Sequence, residues 1–151
     1  IDADLRRPAI ARLLVEKATP GLSNVLAGLS GEDAAIRASA YPGLDILLSG
    51  DVPPNPAELL GSERMADMLE KLSKRYDYIL IDAPPVNIVS DTCVIANMLD
   101  GVLLLARQER SRKDNIKRAV NSLKLTGAKL LGCVFNGAPR ETKGYYYYNE
   151  Q

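Results

Sequence analysis

The 151 residues include nineteen basic and nineteen acidic side chains and no histidine, with 46% hydrophobic and 25% charged residues, the balance of one ordinary globular domain with material for a core. Zero net charge argues against a nucleic-acid partner, which asks for a basic excess, and no apolar run approaches the roughly 20 residues that span a bilayer. With no histidine, and with Cys93 and Cys133 both inside apolar runs that suit buried free thiols, neither a structural zinc site nor a disulfide framework is expected.

The opening stretch, Ile1-Asp2-Ala3-Asp4-Leu5-Arg6-Arg7-Pro8, places two carboxylates two apart and two arginines after what reads as the tail of a strand. A chain beginning on Ile in mid-strand reads as an internal piece of a longer protein. Ile10, Leu13 and Leu14 then fall at helical spacing within residues 9–17, and Pro8 suits a first turn. Residues 21–28 read as a short helix with a glycine stop, and residues 30–40 as a short helical or irregular piece. A strand is expected over 43–48, followed by the rigid loop Pro53-Pro54-Asn55-Pro56.

Residues 62–75 give the clearest helix, with Met65, Met68, Leu69 and Leu72 on one face. It leads into Tyr78-Ile79-Leu80-Ile81-Asp82-Ala83-Pro84-Pro85, which reads as a strand buried on both faces and stopped by a proline pair, with Asp82 presented at its mouth. A helix starting near Ser90 or Asp91 carries Val94, Ile95, Met98 and Leu99. An apolar strand over 102–106 and a helix with Ile116, Ala119, Val120 and Leu123 inward follow, the helix opened by a capping box of Ser111 and Asp114. Residues 129–135 form the last strand, ended by Asn136-Gly137. The alternation predicts an α/β fold, a mostly parallel sheet with helices on both faces, whose strand mouths share one edge near Asp2, Asp82 and Asn136.

Ligands of such sheets bind beyond the carboxyl ends of the strands. A strand-end carboxylate suits a phosphate-bound Mg²⁺, which keeps several waters and takes one or two protein carboxylates; Asp82 and Asp2 are the candidates. Asp4 is placed to accept a proton from an attacking hydroxyl, and Arg6 or Arg7 to hold an anionic group, unless Asp4 and Arg6 simply pair within the loop. Tyr145, Tyr146, Tyr147 and Tyr148 offer hydroxyl acceptors in a segment without periodicity, so the chain divides into a domain over 1–138 and a flexible tyrosine-rich tail over 139–151.

These residues resemble a known family. The stretch from Ile1 to Arg6 is similar to the Walker A′ signature, and Ile79 to Pro85 to the Walker B signature, of the bacterial tyrosine autokinases of capsule and exopolysaccharide synthesis. Gly21-Leu22-Ser23 to Gly28, residues 54–60 and the tyrosine cluster resemble that family in order and spacing. The resemblance implies a P-loop NTPase-like fold that moves the γ-phosphoryl group of ATP to Tyr145–Tyr148, typically on a neighbouring subunit of a ring. It assigns Asp2 and Asp82 to Mg²⁺, Asp4 to the reacting centre as base and Asn136 to the adenine; Arg6 stands as the cofactor-binding candidate from the charge pattern alone. It also implies a membrane-spanning activator or polysaccharide co-polymerase, fused or separate, a tyrosine phosphatase, and a place on the cytoplasmic face of the bacterial membrane. These 151 residues contain no G-x-x-x-x-G-K-[ST] loop, which in the family precedes the position of Ile1, so the piece alone is expected to be inactive. Two other readings fit the aspartate motifs: a partitioning or positioning ATPase, which has no use for the tyrosines, and a non-catalytic regulator of polysaccharide export.

Overall fold

A computed structural model describes residues 1–14 and 16–138. Its leading segment is held on two sides. The Asp2 N–H donates to the Leu47 carbonyl (2.9 Å); on the other side the Asp82 N–H donates to Ile1 (2.9 Å) and the Ala3 N–H to Asp82 (2.8 Å). Asp2 and Asp82 are thereby partners in a parallel bridge.

From there the chain forms α1 (Ile10–Leu14), α2 (Leu22–Leu26) and α3 (Glu32–Ala35), then β1 (Ile36–Ala38) and β2 (Asp45–Leu47). It continues through α4 (Pro56–Leu60), α5 (Glu63–Ser73), α6 (Asp91–Ala96), β3 (Val102–Arg107), α7 (Lys113–Leu125) and β4 (Leu130–Asn136). Parallel pairing of β3 with β4, and of Asp2 with Asp82, agrees with the α/β expectation. The antiparallel pair β1–β2 was not expected. Its first strand is three residues long with Arg37 at the centre, too short to display an alternating pattern.

α5 forms as its sequence dictates. The Ser62 hydroxyl accepts the Met65 N–H (3.2 Å) and so caps the first turn, while Met65, Met68, Leu69 and Leu72 turn inward. They join Leu5, Leu22, Leu60 and Ile95 in one core, each such side chain contributing about 1.5–3 kcal/mol by leaving water. α2 packs against the turn after β2: Leu22 N–H donates to Leu48 (2.7 Å) and Ser23 N–H to Ser49 (2.9 Å). A side chain on Gly21 would run into the backbone of Gly50, which itself turns at φ +81°.

Several expectations fail. Residues 78–81 are not buried on both faces: Ile79 and Ile81 pack on the core, whereas Tyr78 and Leu80 lie in solvent, and the pairing is confined to the bridge at Asp82. An apolar run fixes the material of a strand and not which of its faces is covered. The same reason applies to Leu13, Leu103, Leu105, Leu131, Val134 and Phe135, which are exposed, and to the cysteines, of which Cys93 is half-buried and Cys133 exposed. Ser111 does not cap α7; its hydroxyl accepts the Arg107 N–H (2.9 Å) at the end of β3, and Arg112 occupies the cap position. Tyr145 to Tyr148 and the 139–151 tail lie outside the described residues.

Candidate active site

Adjacent strands lie about 4.8 Å apart and bridge partners send their side chains to the same face. The bridge therefore sets the Asp2 and Asp82 carboxylates side by side at the strand ends. Their surroundings differ sharply. Asp2 is 1% exposed, whereas Asp82 is open to solvent. Asp2 Oδ1 accepts the Asp4 N–H (3.3 Å), and its Oδ2 has no partner among the described residues. Burial pushes the Asp2 carboxyl above the ordinary carboxylate range; the Asp4 and Ile10 backbone N–H groups pull the other way, and the neighbouring Asp82 and Asp4 charges add to the rise.

An unpartnered buried carboxylate oxygen beside a second, solvated carboxylate fits a hydrated divalent cation. No group of three or more His, Cys, Asp or Glu side chains that could hold a metal exists among the described residues.

Asp4 folds back on its own loop. Its Oδ1 accepts the backbone N–H groups of Arg6 (3.2 Å) and Arg7 (3.0 Å), a turn characteristic of aspartate, while Oδ2 makes no hydrogen bond among the described residues. The Arg6 side chain bonds neither to Asp4 nor to the Asp2–Asp82 pair. Its guanidinium grips Asp91 with both edges, Nε to Oδ2 at 2.6 Å and Nη2 to Oδ1 at 3.0 Å, and Asp91 is wholly buried. Sequence reasoning missed Asp91. The available signal was an acid in the first turn of a helix just beyond the Asp82 loop, with two arginines awaiting a partner.

Asn136 stands at the exposed end of β4, opposite Arg107, with its carbonyl accepting the Gln108 N–H (2.9 Å) and its Oδ1 the Gly137 N–H (2.8 Å). No hydrogen bond among the described residues joins it to the two aspartates. Ser23 and Ser49, buried with hydroxyls that have no hydrogen-bond partner among the described residues, are further polar groups that the sequence reading passed over.

Comparison with known proteins settles the family. The chain is 36% identical over 149 residues to the tyrosine-protein kinase YwqD of Bacillus subtilis, covering 97% of this chain and 63% of YwqD. CapB of Staphylococcus aureus, which carries the name "Putative tyrosine-protein kinase CapB", is 34% identical over 152 residues, covering 99% of this chain and 67% of CapB. The chain belongs to the bacterial tyrosine-protein kinases. Its fold matches the solved kinase domain of the Escherichia coli tyrosine kinase ETK with a TM-score of 0.88 at 34% identity, over 97% of this chain and 58% of that one. No protein-family profile matches the chain. This member of the bacterial tyrosine-protein kinases thus spans 63% of the length of YwqD.

Proposed function

We propose that the protein is an ATP-dependent protein-tyrosine autokinase, which transfers the γ-phosphoryl group of ATP to Tyr145–Tyr148 of its own or a neighbouring copy. The juxtaposition of Asp2 and Asp82, with one buried carboxylate oxygen lacking a partner, is the observation that supports this most directly. These two residues would hold Mg²⁺, which when bound offsets the charge of the β- and γ-phosphates. In the reaction a phenolic oxygen forms a bond to the γ-phosphorus, the bond from that phosphorus to the β-bridging oxygen breaks, and ADP leaves. The phenol, with a pKa near 10, gives its proton to Asp4, whose Oδ2 is free of hydrogen bonds among the described residues while Oδ1 is held by the loop. Asn136, at the mouth of β4, is assigned to the adenine. Arg6, committed to Asp91, is not assigned to the nucleotide.

The wider setting belongs to the same proposal: a ring of copies, a membrane-spanning activator or polysaccharide co-polymerase, a tyrosine phosphatase that resets the tail, and a place on the inner face of the membrane in control of capsule or exopolysaccharide synthesis. Among the described residues, no helix is long and apolar enough to cross a membrane. The test uses the complete gene product with Mg·ATP, read by phosphopeptide mass spectrometry. Phosphate is expected on Tyr145–Tyr148 and is expected to vanish in Asp82→Asn; an active wild-type protein with no phosphate on those tyrosines overturns the assignment.

A further inference from the structure

We propose that the first turn of α6 is a clamp that fixes the Asp4 loop against the Asp82 loop, with Arg6, Asp91 and Thr92 as positioning residues for phosphoryl transfer. The inference rests on the kinase reading and adds to it residues that do not touch substrate.

The connection can be followed bond by bond. Asp91 is buried without access to water, a position a carboxylate occupies only when its charge is matched, and both its oxygens are taken by the Arg6 fork. A two-pronged pair fixes direction as well as distance. The backbone N–H of that same Arg6 donates to Asp4 Oδ1 (3.2 Å), and the Asp4 N–H donates to Asp2 Oδ1 (3.3 Å). One residue further along α6, the Thr92 hydroxyl donates to the carbonyl of Pro84 (2.6 Å), two positions after Asp82. Both loops that carry the candidate carboxylates are thus referred to two neighbouring residues of one helical turn.

Stability alone is a poor account of this arrangement. An ion pair with one buried member barely repays its desolvation and is commonly replaced by apolar residues at little cost. What an apolar pair cannot reproduce is the angular constraint, and catalysis is sensitive to it: a misplacement of about 1 Å can cost about 100-fold in rate.

The experiment uses the complete protein. Wild type, Arg6→Met, Arg6→Lys, Asp91→Asn, Thr92→Val and the double variant Arg6→Met/Asp91→Leu are compared in autophosphorylation kinetics, thermal melting and amide hydrogen exchange. Arg6→Met and Asp91→Asn are expected to lower kcat about 30-fold or more while KM for ATP stays within about threefold. The double variant is expected to regain the melting temperature lost by Asp91→Asn without regaining kcat, and Arg6→Lys, which keeps the charge and loses the fork, to recover little of the rate. The Arg6 and Arg7 amides are expected to exchange faster in Asp91→Asn while those of α5 are unchanged. A double variant with wild-type kcat, or rate losses that merely follow the folded fraction, overturns the clamp. Should the ion-pair variants fail to fold, Thr92→Val decides: a wild-type rate overturns it, and a several-fold fall in kcat at unchanged melting temperature supports it. Wild-type protein that incorporates no phosphate defeats the kinase reading alone, whereas unaltered exchange at Arg6 and Arg7 in Asp91→Asn defeats the clamp whatever the activity.

Discussion

Asp2 and Asp82 are partners across one parallel bridge, yet the first is sealed from solvent and the second open to it. Two carboxylates side by side, one of them shut away from water, cost folding energy that a neutral side chain in place of either would relieve.

Removing that cost should stabilise the protein. Asp2→Asn keeps an oxygen for the Asp4 N–H and offers an amide to Asp82 in place of repulsion. In metal-free buffer with chelator, the variant is expected to be more stable to urea by about 1 kcal/mol, and with Mg·ATP supplied it is expected to lose autophosphorylation. A variant less stable than wild type in chelator would show that the strain inferred at Asp2 is absent.

Gly50 is expected to tolerate no side chain. Its φ of +81° disfavours any other residue, and an added Cβ would collide with Ser23 Oγ and Asn24 Oδ1. Gly50→Ala should cost about 2 kcal/mol or more, whereas Gly132→Ala, where a Cβ meets nothing within 4 Å, should be neutral or slightly stabilising. Thermal melting of the two variants side by side checks the contrast.

The core and cap of α5 separate in magnitude. Met68→Ala removes a wholly buried side chain and is expected to cost about 2–5 kcal/mol. Ser62→Ala removes only the cap to Met65 and is expected to cost about 1 kcal/mol. Urea titrations with unchanged m-values are the measurement; equal losses at both sites would contradict this account of the helix.

At alkaline pH, Tyr76 governs a further change. Burial, together with its hydrogen bond to Asp45 Oδ2 (2.7 Å), raises the phenol above its ordinary value. The folded state therefore keeps the proton after the unfolded chain has lost it. The stabilisation is complete below about pH 10 and declines as pH rises from there through the raised folded value. Denaturation at a series of pH values should show a steeper alkaline decline in wild type than in Tyr76→Phe; parallel curves would exclude the effect.

The sequence made α5 legible because a serine cap and four apolar residues at helical spacing agree with one another. The meeting of Asp2 with Asp82 was legible for a topological reason: parallel strands share an edge, so carboxylates at their ends converge. The partner of Arg6 was not legible, because Asp91 lies 85 positions away and nothing local distinguishes it from Asp4 as a destination. Nor does periodicity say which apolar face is covered, which is why Leu80 and Leu105 read as core and stand in water. Ser111 misled in a different way: a hydroxyl three residues before an acid fits a helix cap, but the end of β3 reached it first.

The bridge joins two residues 80 positions apart, and it cannot form until the intervening chain has folded back on itself. Closing so long a span is slow beside the formation of a local helix such as α5, so in refolding Asp2 and Asp82 are expected to meet late, after the elements between them have formed.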